Sequence, residues 1–183
     1  MRAAVLVEGR SDSAALERLA ARRGRDLTAE GVTVVAMGGA TNIRRYLERL
    51  GPRGLGLDLA GLCDAAEVGY YRRGLAAAGL GADLTRAQME QCGFFVCVAD
   101  LEDELIRALG TDAVEAVIDE RGELGSFRTM QQQPAQRDRP LDAQLRRFLG
   151  TRGGRKIAYA PALIDALDLG RVPAPLDGVL GAV

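Results

Sequence analysis

Glu8 and Asp12 lie in the stretch VLVEGRSDSAAL, while Asp64 and Asp100 each close a later apolar run. All four are acids placed where a buried strand gives way to a helix. Glu67, Glu102 and Asp103 follow within a few residues of these positions. Carboxylates crowded together repel one another and hold their protons more tightly unless a cation neutralises them. A hard divalent ion resolves that conflict, because Mg²⁺ takes oxygen ligands and is often held by only one or two carboxylates plus substrate phosphates. Any one of these acids alone also suits a simpler role, capping the free N–H groups at a helix N-terminus. Acids on three separate strand ends go beyond what capping requires.

The chain has no histidine, which excludes a histidine triad, HExxH zinc chemistry and an imidazole general base. Cys63, Cys92 and Cys97 are odd in number and not spaced as a zinc pair, so reduced thiols are expected. The remaining reactive groups are carboxylates, 23 arginines and one lysine, Lys156.

The elements that must position these groups alternate along the chain. AAVLV (3–7) reads as a strand buried on both faces, followed by a helix capped by Ser11 or Asp12 and closed at Gly24. VTVVAM (32–37) is a second strand, after which GGATN turns into a helix carrying Ile43, Leu47 and Leu50 on one face. GGATN also offers backbone N–H groups to a phosphate, against the simpler reading of a tight turn. LDLAGLCD is a third strand ending near Asp64, with a helix after it, and Thr85 and Gln88 have capping-box spacing. FFVCVAD (94–100) is the fourth strand, and LEDELIRALG is helical. Strands alternating with helices predict βαβ crossovers and a parallel sheet. Ligands bind outside the carboxyl ends of such strands, so the acids are predicted to converge on one crevice.

Beyond residue 111 the strand signal fades. TDAVEAVIDERG and LDAQLRRFLG are helical, MQQQPAQRDRP is a polar loop, TRGGRK is a basic turn, APALIDAL is the last helix, and RVPAPLDGVL is a tail. The expected layout is an α/β domain over 1–110 and a helical C-terminal appendage over 111–183, packed on it. From Arg121 to Lys156 there are nine basic residues and three acidic ones, although the whole chain carries a formal charge of −1. Arg146, Arg147, Arg152 and Arg155 are therefore candidates to hold a polyanionic backbone over the acids, with a solvated arginine-rich surface as the plain alternative. Tyr70 and Tyr71 either stack on bases or, in part, pack against the sheet. At 183 residues and 48% hydrophobic content one domain is expected, with no apolar run near the ~20 residues that span a bilayer. The opening MRAAVLVEG is too short for a signal peptide, and a soluble, cytoplasmic protein is expected.

VLVEGRSD, LCDAAE and VADLEDELI together resemble the Toprim domain of nucleases of the OLD (overcoming lysogenization defect) family. The resemblance covers roughly residues 3–110 and is looser beyond. It implies a Toprim-like, Rossmann-like parallel sheet of about four strands flanked by helices, and phosphoryl transfer with one or two Mg²⁺ or Mn²⁺ ions. By it, Glu8 is the first-strand glutamate, Asp12 the acid four residues on, Asp64 the first acid of D-x-D, Asp100 and Glu102 the DLE after the fourth strand, and Lys156 a distal lysine. Two ions about 3.5–4 Å apart are the arrangement of two-metal nucleases. Glu8, Asp12, Asp64 and Asp100, with Glu67 or Glu102, would hold them, and Lys156 would stabilise charge on the scissile phosphate.

The chain departs from the family pattern in two places. The second acid of D-x-D is Ala66, with Glu67 one residue along, which leaves a non-catalytic module as the alternative to a nuclease. OLD nucleases also carry an ATPase domain ahead of this unit, whereas here the chain begins at the Toprim strand and no GxxxxGK[ST] motif appears. The expected partners are nucleic acid, DNA foremost, and a separate ATPase. DNA against RNA, strandedness, internal against terminal cleavage, and oligomeric state stay open.

Overall fold

The computed structural model describes residues 1–150 and 154–183. Four strands, β1 (Ala3–Val7), β2 (Val32–Ala36), β3 (Asp58–Cys63) and β4 (Phe94–Val96), form one parallel sheet in the order β2-β1-β3-β4. All five residues of β1 are fully buried, as a continuous apolar run in the middle of a two-sided sheet must be. Burying side chains such as Val5, Leu6 and Val7 is worth about 1.5–3 kcal/mol each.

Alternate residues of β1 serve two cores. Ala4 and Leu6 face α2 (Ile43–Leu50), α3 (Val68–Ala78) and α4 (Arg86–Gln91) through Ile43, Leu47, Leu75 and Met89. Ala3, Val5 and Val7 face α1 (Arg10–Arg22), and the helices after β4 complete that side. These are α5 (Leu101–Leu109), α6 (Thr111–Glu120), α7 (Leu124–Gln131), α8 (Leu141–Gly150), α9 (Arg155–Ala166) and α10 (Ala174–Gly181). Helix α9 lies along α1, and Phe127, Phe148 and Tyr159 stack edge to face with ring centroids 5.2 and 6.4 Å apart.

Four local expectations change. Helix α1 begins at Arg10 with Gly9 at its cap, and Asp12 instead occupies the third helical position, where its Oδ2 accepts the Gly9 N–H at 2.8 Å. Strand β4 stops at Val96: Cys97 still donates to the Cys63 carbonyl, but the Val98 N–H turns away to Glu104 Oε1 at 2.6 Å. The expected polar loop from Met130 begins later, because Met130 and Gln131 end α7 (Leu124–Gln131), which buries Phe127 and Met130. The tail is a helix, α10, because its prolines fall at the start, where a missing N–H costs nothing. Gly178 lets α10 settle on Phe95, since a Cβ at that position would lie 2.2 Å from the ring.

Other expectations hold. The Thr85–Gln88 capping box is formed, and Gly24 takes a positive φ of 73° just past α1. The N–H groups of Gly38 and Gly39 both donate to the Glu8 carbonyl, at 3.0 and 3.1 Å, so GGATN is a tight turn with those donors already used. Cys63, Cys92 and Cys97 are free thiols. Among the described residues no helix is long and apolar enough to cross a membrane.

Candidate active site at the strand ends

The strand order places β2 on one side of β1 and β3 on the other, and the connecting helices α1 and α2 lie on opposite faces. That reversal opens a crevice beyond the carboxyl ends of β1 and β3. Glu8 leaves β1 into it, Asp64 leaves β3, and Asp12 enters from the first turn of α1. Pairing of Leu6 with Gly61 and of Cys63 with Val96 aligns the strands so that these acids and Asp100 end up as neighbours.

Their electrostatics report the crowding. Burial first, then the charges of Asp12, Asp100, Glu8 and Glu102, push the Asp64 carboxyl up to about 7. Asp12 is pushed up to about 6 by burial, with Glu102 and Glu8 adding to the rise and the Gly9 N–H and Lys156 opposing it. Glu8 is raised by burial and next by the charge of Glu67, the residue beside Ala66. Ala66 itself is exposed. Among the described residues, Glu8 and Asp64 accept no hydrogen bond and form no ion pair through their side chains.

Asp100 and Glu102 differ. Asp100 caps α5, its Oδ1 accepting the Asp103 N–H at 2.9 Å, while its Oδ2 takes Arg146 Nε at 2.8 Å. Glu102 is buried and its Oε2 accepts Lys156 Nζ at 2.9 Å. Burial works to lower the Lys156 ammonium, but the hydrogen bond to Glu102 and the charges of Glu102, Asp100 and Asp64 outweigh it, so the net shift is upward and Lys156 stays charged. Asp100, Glu102, Arg139, Arg146, Arg147 and Lys156 line a cleft of about 440 Å³ between α5 and α8. Arg139 is an addition to the sequence-based candidates; its one signal in the sequence is the alternating charge of QRDRP.

The other predicted residues separate. Arg147 lines the cleft with Arg146. Arg155, expected at a nucleic-acid surface, is instead buried: it donates to the Phe148 carbonyl, pairs with Glu123 and stacks on the Phe148 ring at 3.9 Å. Its guanidinium holds α7–α9 together. Arg152 lies outside the described residues. Tyr71 is in the core with its hydroxyl donating to the Leu62 carbonyl at 2.9 Å, whereas Tyr70 is exposed.

Among the described residues no three carboxylates or thiols stand close enough together to hold one ion. The donors on offer nevertheless suit a hard cation. They are carboxylate oxygens whose mutual repulsion an ion would relieve, and one or two of them with water or phosphate meet the needs of Mg²⁺ or Mn²⁺. Burial pushes the Cys63 thiol up to about 12 and Cys97 higher still, so neither is a ready thiolate in the metal-free chain.

A model of the Toprim domain of overcoming lysogenization defect protein-like chains matches residues 1–65. The C-terminal region of the Xanthomonas campestris pv. campestris OLD protein is similar over 100% of this chain and 91% of its own, at 28% identity and a TM-score of 0.73. The C-terminal region of the Burkholderia pseudomallei OLD protein covers 99% of this chain and 96% of its own at 21% identity and a TM-score of 0.69, a likeness of fold alone. No curated protein matches the chain. Residues 1–65 thus carry the OLD-like Toprim pattern, and the chain as a whole, with its parallel sheet and the helices after it, is similar to the C-terminal region of an OLD protein.

Proposed function

We propose that the chain cleaves phosphodiester bonds of nucleic acid with the help of Mg²⁺ or Mn²⁺. The observation that carries this reading is the set Glu8, Asp12 and Asp64 at the β1–β3 crevice, without an ion-pair partner among the described residues and within electrostatic reach of Asp100, Glu102 and Lys156, which line the neighbouring cleft. Glu8, Asp12 and Asp64, with Glu67, Asp100 or Glu102, would hold the ion, which supplies water activation and neutralises the leaving oxygen when bound. Arg146 and Arg147 position the backbone beside the acids. Lys156 brings a mobile point charge to the phosphate, a role to which a compact ammonium on a flexible stem is suited. It donates to Glu102 Oε2 in the metal-free chain. DNA is the substrate we assign first.

Asp64→Ala is expected to lower cleavage of plasmid and linear DNA in Mn²⁺ by about a thousandfold or more while leaving the circular dichroism spectrum unchanged. Undiminished cleavage by that variant contradicts the reading.

A second reading rests on Ala66 and on the lack, among the described residues, of three acids gathered on one point. On it, the chain docks nucleic acid or a partner ATPase and does not cut. Ala66→Asp separates the two: a strong gain in cleavage marks a site weakened at that position, and little change marks one already complete through Glu67.

A further inference from the structure

The acids and the cleft both lie at one end of the sheet, yet a second concentration of positive charge among the described residues is on the opposite sheet face from α8 and α9. Helices α2 and α3 lie side by side there, at a separation set by Gly74: a Cβ on it would stand 3.1 Å from Leu47 and 3.2 Å from Ile43. Their outer surfaces therefore form one continuous face. Residues 42–54 and 68–79 contribute Arg44, Arg45, Arg49, Arg53, Arg72 and Arg73, all exposed, against the single acid Glu48.

Glu48 is already taken by Arg44 at 2.7 Å. Arg45, Arg49, Arg72 and Arg73 have no carboxylate partner among the described residues. Arg45 and Arg49 stand four apart on one helix, a like-charge spacing that is unfavourable, beside Arg44–Glu48, which shows the favourable alternative. Two of the guanidinium groups are held flat on aromatic rings, Arg45 over Tyr46 at 5.2 Å and Arg73 over Tyr70 at 4.9 Å. Stacking of this kind fixes the plane of the fork while leaving its N–H edges outward, so little freedom is lost when they meet a phosphate.

The face also leads somewhere. Strands and crossovers being parallel, α2 and α3 both start at the carboxyl end of the sheet and run away from it. Tyr70 and Arg73 stand in the first turns of α3, just past Glu67 of the crevice, while Arg49 and Arg53 lie toward the far end. The eight residues of α2 cover about 12 Å, room for three or four phosphates of one strand at ~3.4 Å each.

We propose that the α2–α3 face is a second phosphate track, which grips the nucleic-acid backbone beyond the crevice and supplies affinity for long substrates and not chemistry. The proposal rests on the reading of the chain as one that acts on nucleic acid. Its test is fluorescence anisotropy of the full chain with 10- and 40-base-pair DNA duplexes, without divalent metal, from 50 to 200 mM salt. The variant is Arg45→Gln/Arg49→Gln/Arg73→Gln, and an equal-charge control carries Arg18→Gln/Arg23→Gln/Arg128→Gln.

The track variant is expected to bind the 40-base-pair duplex at least tenfold more weakly than the control, with a plot of log affinity against log salt shallower by ~0.9 for each phosphate no longer neutralised. It should cut the 10-base-pair duplex in Mn²⁺ at the wild-type rate. Equal affinity and slope in the two variants overturns the track while leaving the nuclease reading in place. Arginine-dependent binding by a protein that never cuts supports the track and removes the nuclease. A wild type that binds no DNA overturns both, and capture of polyglutamate in place of DNA through these arginines reassigns the face to an acidic protein.

Discussion

Two groups of carboxylates only a few residues apart in space are treated in opposite ways. On the first turn of α5 every acid has a basic partner: Asp100 with Arg146 at 2.6 Å, Glu102 with Lys156 at 2.9 Å, Asp103 with Arg107 at 2.9 Å and Glu104 with Arg107 at 2.7 Å. At the ends of β1 and β3, Glu8 and Asp64 have none among the described residues, and Asp12 has a single backbone N–H. Arginine is abundant in this chain, so the lack of pairing at the crevice is not a shortage of cations. Folding leaves negative charge uncompensated there, at a cost visible in the raised Asp64 and Asp12 carboxyls, and so leaves a place for a cation from solution.

The contrast can be broken on its paired side first. Glu104 is 4% exposed, takes the Val98 N–H and pairs with Arg107. Glu104→Ala strands a donor and unmoors the loop into α5, so chemical denaturation is expected to show a loss of about 2–3 kcal/mol. Asp64→Asn should move the other way in metal-free protein. The fold raises the Asp64 carboxyl above its unfolded value, so it favours the protonated form; that contribution is full below about pH 4 and is lost as pH rises through about 7. The amide keeps it, and at pH 8 the variant should be more stable than wild type by ~1–2 kcal/mol, after discounting for the partial exposure of Asp64, with no difference at pH 4. A destabilised Asp64→Asn at pH 8 would mean that the crevice acids are structural. The smallest effect belongs to Asp103→Ala, which removes one pair at the surface of α5 and should cost about 0.5 kcal/mol by the same denaturation assay.

Much of this fold is legible in the sequence because parallel strands are buried on both faces and so appear as unbroken apolar runs. AAVLV, buried throughout, is found to the residue; VTVVAM is found to within one residue through its β-branched run, although β2 is an edge strand with only Val32 fully buried. The misses are places where tertiary packing overrides the local pattern. FFVCVAD reads as one strand, but Glu104 takes the Val98 N–H out of the ladder; PAPLDGVL reads as a tail, but Gly178 fits it to Phe95. The positions of the candidate acids follow from strand ends, which sequence shows well. Which of them are paired does not, because Arg146 and Lys156 reach Asp100 and Glu102 across 46 and 54 residues of chain. Arg155 and Arg146 look alike in sequence, and only packing buries one and leaves the other beside the cleft.

The central claim is that Glu8 and Asp64, the crevice acids without an ion-pair partner among the described residues, are indispensable to a divalent-cation site, whereas Asp103 takes no part in it. Calorimetric titration of the metal-free chain with Mn²⁺ at pH 8 tests it most directly, in parallel with Glu8→Ala/Asp64→Ala and with Asp103→Ala. Saturable binding by the wild type and by Asp103→Ala, lost in the double variant, is the predicted result. Equal binding by all three proteins, or none by the wild type, would contradict the account.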